Sequence, residues 1–186
     1  MNFEIVFPNN NEHEFVKIAD ALDIKKIVFI YDEKHYKDAD TKINKIETNI
    51  ELEKGILVKN TNQKYNSKFV VAKSSLNDRS LIESKSANLI FGFESVHSRD
   101  STHQRNSNLN HITCTMAQEK NISFGFSYSS ILESQNKPLI IGRMIQNLKL
   151  CRKYQVKPVF ASFTNHPYNL RSKYDIDALF RTLNKN

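Results

Sequence analysis

The sequence contains few of the residues that form linkers, tight loops and cross-links. Only four glycines, four prolines and two cysteines occur among 186 residues, and tryptophan is absent. Because glycine and proline are so sparse, no stretch has the composition of a flexible or proline-rich linker. The length suits one domain with a real hydrophobic core and is marginal for two. We therefore predict a single domain over residues 1–186.

Long apolar runs and an export signal are also missing. No run approaches the ~20 apolar residues that a membrane span needs. The first residues, MNFEIVFPNN, lack the charged segment followed by an apolar segment that is typical of a secretory signal. These absences predict a cytoplasmic protein with no membrane partner. A disulfide between Cys114 and Cys151 is possible, but two buried free thiols fit a chain without an export signal better.

Positive charge is concentrated in the second part of the chain. Residues 1–60 hold nine Lys and twelve Asp or Glu, whereas residues 61–186 hold eighteen Lys or Arg and eight acids. All seven arginines lie in that second part, and the planar guanidinium suits phosphate better than the ammonium of Lys does. This asymmetry favours a polyanionic partner such as nucleic acid. A solvated basic surface without a ligand is the alternative.

Apolar patterning predicts strands that alternate with helices. Continuous apolar runs favour a parallel sheet covered on both faces. A full eightfold barrel takes ~250 residues, so we predict an α/β fold that is an incomplete (β/α) TIM-like barrel with about seven strands. The predicted strands are 3–7, 26–32, 55–60, 68–74, 88–94, 122–128 and 158–163. Helical spacing marks 15–22, 75–87, 109–117, 139–154 and 176–183. Residues 33–53 are less clear and allow a short helix around Ile43, Ile46 and Ile50.

The signals for a metal centre are weak. A metallohydrolase needs converging His and carboxylate side chains, and none of the six histidines forms a tight pair. His97 and His103 flank one polar loop near Glu94 and Asp100, which is a weak metal signal. A solvated polar loop explains this segment better.

Signatures of covalent or nucleotide chemistry are missing as well. The glycines are too widely spaced for a phosphate-cradling loop, and neither Cys-x-x-Cys nor Gly-x-Ser-x-Gly occurs. Ser129 and Ser130 follow a predicted strand, but no organised base can be named for them. What remains is phosphate-binding chemistry without an evident catalytic group.

Two arginines are candidates for anion binding. Arg143 is placed off the apolar face near the start of the 139–154 helix, where the helix dipole disfavours a cation unless an anion lies nearby. Arg171 lies in the loop between the last strand and the last helix, and its alternative role is a structural bond to carbonyl groups or to Asp175. The phenylalanines that follow strand patterns are expected in the core rather than in base stacking: Phe91, Phe93, Phe124, Phe126 and Phe160.

From residue 79 onward the sequence resembles ribonuclease P protein component 3, the thirty-kilodalton subunit family of archaea and eukaryotes. The matching stretches are DRSLIESKSANLIFGF, LNHITCTMAQEKNISFGFSYSSIL and KPVFASFTNHPYNLRSKYDIDAL. The sequence departs from the family pattern at four positions. Asn110 stands where Asp is usual, Gly125 where Glu is usual, Ser127 where Asn is common and Lys173 where Pro is usual. The change at Gly125 puts a role for that position in doubt.

The resemblance implies a barrel related to the polymerase-and-histidinol-phosphatase-like phosphoesterases. Those relatives hold metals with His and Asp at strand ends, but this sequence lacks the N-terminal His pair, and Phe163 and Thr164 offer no carboxylate. The resemblance therefore implies a subunit that binds RNA rather than cleaving it. In ribonuclease P the RNA, with Mg²⁺, removes the 5′ leader of precursor tRNA, so the isolated chain is expected to be inactive and to bind no cofactor.

The implied partners are ribonuclease P RNA, ribonuclease P protein component 2 and, indirectly, precursor tRNA. We predict that cationic side chains contact the RNA or support those contacts: Lys73, Arg79, His111, Arg143, Lys157 and Arg171, with Arg99 and Arg105 in second place. A metal-dependent phosphoesterase on the same barrel is the main alternative. A third hypothesis is a sugar-phosphate enzyme in which Arg171 grips the phosphate.

Overall fold

The computed structural model describes residues 3–59 and 64–185. Seven parallel strands form one sheet in which spatial order follows sequence order. Each strand is hydrogen-bonded to the next one along the chain, and a helical crossover or a loop connects the two. This is the connectivity of a β/α barrel. The strands are β1 (Glu4–Val6), β2 (Lys26–Asp32), β3 (Glu51–Val58), β4 (Val70–Lys73), β5 (Leu89–Phe91), β6 (Ser123–Ser127) and β7 (Pro158–Ala161).

The first and last strands approach each other and bring the sheet into a nearly closed ring. A parallel bridge joins Val6 to Thr164. The Phe7 amide donates to the Thr164 carbonyl at 2.8 Å, and the Phe163 amide donates to the Ile5 carbonyl at 2.9 Å. The predicted TIM-like barrel with about seven strands is therefore confirmed. All strands are parallel, so their C-terminal ends meet at one end of the barrel, which we call the mouth.

Helices cover the outside of the barrel. The longest, α7, buries Met144, Leu148 and Cys151 in the shared core. Within the described residues, no helix combines the length and the apolar character that crossing a membrane requires. The helices are α1 (Glu12–Ala21), α2 (Glu33–Tyr36), α3 (Ala39–Ile43), α4 (Asp78–Ser84), α5 (His111–Glu119), α6 (Tyr128–Glu133), α7 (Lys137–Lys153) and α8 (Lys173–Asn184).

Aliphatic and aromatic side chains fill the barrel interior. Ile5, Val28, Val71 and Val159 form part of this cluster. Three phenylalanine rings close it at the mouth. Phe91 stacks on Phe163 with ring centroids 4.7 Å apart and on Phe7 with centroids 5.3 Å apart. The interior is therefore a packed core rather than a pore, as expected for this fold.

Most predicted elements are found, with local differences. The strand predicted over 88–94 ends at Phe91, because Gly92 turns the chain into the 3₁₀ helix Phe93–Ser95. The bounds of β2 agree with the prediction, whereas β3 begins at Glu51 rather than at 55. The predicted end of that strand, residue 60, lies outside the described residues. The unclear segment 33–53 holds α2, α3 and the start of β3, and α6 was not predicted. Cys114 and Cys151 are buried free thiols, as expected.

Candidate functional site

An open cleft of about 490 Å³ lies at the mouth of the barrel. Its walls come from the ends of β4, β5 and β6, from the loop after β5, and from α6 and the start of α7. The mouth is where β/α barrels carry their functional groups, and this volume is in the usual range for ligand pockets. The chain therefore has a concave site at the position that the fold favours.

Lys73 is the exposed cation of this cleft. It is the last residue of β4, and its side chain reaches the cleft wall beside Gly92. Gly92 has φ of 84°, which lets the chain turn from β5 into the short 3₁₀ helix Phe93–Ser95. Lys73 takes part in no ion pair within the described part of the chain. Its ammonium group is therefore available to an anion.

Glu94 is a fully buried carboxylic acid next to the cleft. Burial raises the pKa of Glu94 to about 7, and the Ser130 hydroxyl, the Ser127 backbone and the Lys73 charge oppose this rise only in part. Among the described residues, no donor reaches either carboxylate oxygen in good hydrogen-bonding geometry. Near neutral pH a substantial fraction of Glu94 is therefore protonated, which reduces the negative charge beside Lys73.

Arg143 holds the long loop after β5 against α7. Its Nε donates to Asp100 Oδ1 at 2.8 Å, and its Nη1 donates to the carbonyls of Glu94 at 2.9 Å and His97 at 2.6 Å. The side chain has no exposed surface. Arg143 is thus covered by the loop, and the anion that offsets its charge near the helix start is Asp100 of the same chain. Arg143 can support an RNA contact, but in this conformation it cannot make one.

Further contacts fix the same loop. Arg105 is exposed, and its Nη1 donates to the Gly142 carbonyl at 2.7 Å. The guanidinium lies so close to Gly142 that a Cβ there would be 2.9 Å from Arg105 Cζ. Gln146 donates to Ser107 Oγ at 3.2 Å. The loop therefore has a defined path over α7, and this path determines where the exposed Arg99 and Arg105 lie.

Arg171 lies half-buried in the loop between β7 and α8. Its Nη1 donates to the carbonyls of Tyr168 at 2.9 Å and Leu170 at 2.6 Å, and its guanidinium lies 5.6 Å from the centre of the Tyr128 ring. Arg171 therefore makes the structural bonds to carbonyl groups that the sequence allows as the alternative to anion binding. Asp175 is engaged elsewhere, because Ser172 Oγ donates to it at 2.8 Å and caps α8.

The structure divides the predicted RNA-binding residues between the two ends of the barrel. Lys157 is exposed directly before β7 and so lies at the end opposite the mouth. Arg79 is exposed in the first turn of α4 and pairs with Glu83, and His111 begins α5. These helices start from the mouth side of the barrel. Apart from the buried Arg143 and the distant Lys157, the predicted residues therefore belong to the mouth side: Lys73, Arg79, Arg99, Arg105, His111 and Arg171.

The residues at the mouth do not fit a metal centre. Gly92 and Phe163 follow the ends of β5 and β7, and Gly125 lies within β6, at positions where a ligand set would need His or carboxylate side chains. Within residues 3–59 and 64–185, no three His, Cys, Asp or Glu side chains are grouped as metal ligands would be. Ser129 Oγ donates to the Phe163 carbonyl at 3.0 Å, so this hydroxyl has a structural partner rather than a base.

Sequence patterns did not identify several residues of the cleft as part of a binding site. Six serines line its walls: Ser95, Ser98, Ser127, Ser129, Ser130 and Ser134. In the sequence, Ser129 and Ser130 suggest only a nucleophile without a base, and Ser127 stands out only as a departure from the family pattern. Glu94 was noted only as a neighbour of a weak metal signal. Nothing in the sequence indicated its burial.

The fold and its mouth define a TIM-like α/β-barrel protein that carries cations, hydroxyl groups and phenylalanine where metal-dependent barrels carry ligands. Residues 96–185 match the family model described as RNase P subunit p30. The match covers just under half of the chain, and over these residues the resemblance seen in the sequence is confirmed.

A solved structure supports the same fold over nearly the whole chain. A chain of an archaeal complex, described as "cryo-EM structure of archaeal Ribonuclease P with mature tRNA", matches with a TM-score of 0.72 and 14% sequence identity. The match covers 97% of this chain and 82% of the archaeal one. At this identity the likeness establishes the shared fold. Comparison with curated proteins by sequence gave no match.

Proposed function

We propose that this chain is a non-catalytic, RNA-binding subunit of ribonuclease P that supports RNA-catalysed removal of the 5′ leader from precursor tRNA. The observation that carries the proposal is the match of residues 96–185 to the RNase P subunit family. This segment includes the loop fixed by Arg143 and the loop that holds Arg171. The barrel of the archaeal ribonuclease P complex supports the assignment at the level of fold.

The charge distribution gives this function a physical basis. A folded RNA brings phosphates close together, and Lys and Arg side chains on a rigid surface reduce their repulsion. RNA helices are recognised mainly by shape and backbone, so ordered cations suffice without base-specific pockets. Arg171 and Arg105 are ordered in this way by hydrogen bonds to backbone carbonyls.

The chain's own residues would position the RNA, and the chemistry would belong to the RNA with its Mg²⁺. Ribonuclease P protein component 2 remains the proposed protein partner, precursor tRNA an indirect one, and the cytoplasm the proposed location. No observation on the described residues favours the phosphoesterase alternative. The sugar-phosphate hypothesis loses its stated basis, because Arg171 lies in the β7–α8 loop against Tyr128 and does not line the cleft.

Salt dependence of RNA binding tests the proposal. Affinity for transcribed, folded ribonuclease P RNA should be measured by filter binding from about 50 to 200 mM KCl at constant Mg²⁺. If the chain neutralises ~4 phosphates, affinity should fall about a hundredfold over this range. An unstructured RNA of equal length is the control for non-specific attraction. A flat response to salt would contradict RNA binding through these cations.

A further inference from the structure

We infer that the cleft at the barrel mouth is a binding site for a phosphate group, carried either by a free nucleotide or by the end of an RNA chain. The inference goes beyond the proposed function, which concerns the outer cationic surface. It holds whether or not that surface binds ribonuclease P RNA. Three features of the cleft carry it: its exposed cation, an unpaired guanidinium nitrogen in its wall, and its neutral donors.

Lys73 supplies the accessible charge. It lies at the end of β4 with its side chain in the cleft wall, and none of the ion pairs in the described residues includes it. Some other lysines of the first half are paired, as Lys26 is with Glu51 and Glu53. An ammonium in a concave site attracts an anion more strongly than one on a convex surface, because the low-dielectric walls focus its field.

Arg143 supplies an unpaired donor. Its Nε and Nη1 are bonded to Asp100 and to two carbonyls, but its buried Nη2 has no partner among the described residues. Arg143 forms part of the cleft wall. A buried donor left without a partner is unfavourable, because it has lost its hydrogen bonds to water. This nitrogen is buried, so in this conformation it adds positive potential to the cleft wall rather than a direct contact with a ligand.

The other polar groups of the wall are mostly neutral. Serine hydroxyls and the side chains of Gln135 and Asn136 surround the cations. The single carboxylate of the wall, Glu133, accepts a hydrogen bond from Asn169 at 3.1 Å. Asp100 neutralises Arg143 from the Nε edge, so Lys73 and Glu133 are the remaining charged groups of the wall. Neutral hydroxyl and amide donors around a cation are suited to the several oxygens of a phosphate.

Burial of Glu94 supports the same assignment. The raised pKa of this carboxyl means that part of the population is uncharged at neutral pH. A bound phosphate would raise it further by adding negative charge nearby. The cleft can therefore accept an anion without repulsion from a fully ionised carboxylate below it.

Binding of chosen probes tests the inference. Isothermal titration calorimetry should compare AMP with adenosine, and a short RNA carrying a 5′-phosphate with the same RNA carrying a 5′-hydroxyl. We expect each phosphorylated probe to bind at least tenfold more tightly than its unphosphorylated match. Tighter binding of AMP than of the phosphorylated RNA assigns the site to free nucleotides, and the reverse order assigns it to RNA ends. Equal binding of AMP and adenosine would overturn the inference.

Variants locate the site. Lys73→Met keeps the aliphatic stem and removes the charge, and it should weaken AMP binding at least tenfold. Lys149→Met is the matched control, since Lys149 is exposed on α7 away from the cleft wall, and it should change binding less than twofold. Ser98→Trp at the exposed rim should block entry and weaken binding similarly. Unchanged AMP binding in both Lys73→Met and Ser98→Trp would overturn the inference, whatever the affinity for folded RNA.

Discussion

The ring of Phe163 occupies the space that a side chain on Gly125 would need. A Cβ on Gly125 would lie 2.7 Å from Phe163 Cζ and 2.7 Å from Phe91 Cβ. Phe163 reaches this place with φ of 47°, a left-handed conformation that a bulky residue rarely adopts. At Gly125, where the family pattern has Glu, the Phe163 ring therefore fills the space of the missing side chain. An apolar stack fills the place of a carboxylate at the mouth.

Gly125→Ala should destabilise the protein by about 1–3 kcal/mol, because the added methyl group overpacks the mouth. Phe163→Ala alone should cost about 3–5 kcal/mol through the cavity that it leaves. In the double variant the clash with the Phe163 ring is gone and only the close approach to Phe91 Cβ remains, so the combined loss should be smaller than the sum. Urea unfolding of the four proteins measures this coupling, and strict additivity would contradict the packing described.

Stability should fall as pH rises through neutrality. Burial raises the pKa of both Glu4 and Glu94 from 4.5 to about 7, so the folded state holds these protons more tightly than the unfolded state. The contribution of these two groups is fully present below about pH 4.5 and is lost as pH rises to about 7, by up to about 3 kcal/mol for each group.

Glu4→Gln tests this linkage without removing the acceptor for the Ser162 amide, which donates to Glu4 Oε2 at 2.7 Å. The free energy of unfolding of this variant should decline less between pH 5 and 8, by about half of the wild-type decline if both groups contribute equally. The exposed Glu119→Gln is the control. A wild-type profile that rises over this range would contradict the burial of the two carboxyls.

Arg143→Met should release the loop after β5. The substitution leaves Asp100 and two carbonyls without their donor, and breaking a buried ion pair costs about 3–5 kcal/mol. Amide hydrogen exchange in residues 94–106 should increase more than in β2. Arg79→Met removes an exposed ion pair and should cost less than about 1 kcal/mol. Equal effects of the two variants would show that Arg143 does not fix the loop.

Arg171→Ala should weaken binding of folded ribonuclease P RNA by about tenfold, the effect of losing one charge-assisted phosphate contact of about 1.5 kcal/mol. Lys157→Ala at the opposite end of the barrel should have a smaller effect, because one RNA surface seated on the mouth side does not reach it. Urea unfolding separates binding from folding. Loss of stability with unchanged affinity in Arg171→Ala would assign this side chain to loop structure instead.

Local sequence patterns predicted the strands and helices of the barrel well. The site features that they did not predict depend on contacts between residues far apart in the sequence. The β-branched and aromatic run KIVFIYD gave the bounds of β2, because such a run has one favourable arrangement in a buried parallel sheet. Arg143 and Asp100 are 43 residues apart, and no periodicity links them. The packing at Gly125 depends on Phe163, which lies in the loop after β7, so no local pattern around Gly125 indicates it. Helix α6 is short and begins at a Ser cap, a weak signal beside the strand that precedes it.

Reconstituted cleavage of precursor tRNA tests the central claim most directly. The cognate ribonuclease P RNA should be assayed at moderate Mg²⁺ with its other protein subunits, with and without this chain, and the chain should also be assayed alone. We predict that 5′-leader removal requires the chain at moderate Mg²⁺, recovers without it when Mg²⁺ is raised, and does not occur with the chain alone. Cleavage by the chain alone, or full activity of the RNA without it at moderate Mg²⁺, would contradict a supporting RNA-binding role.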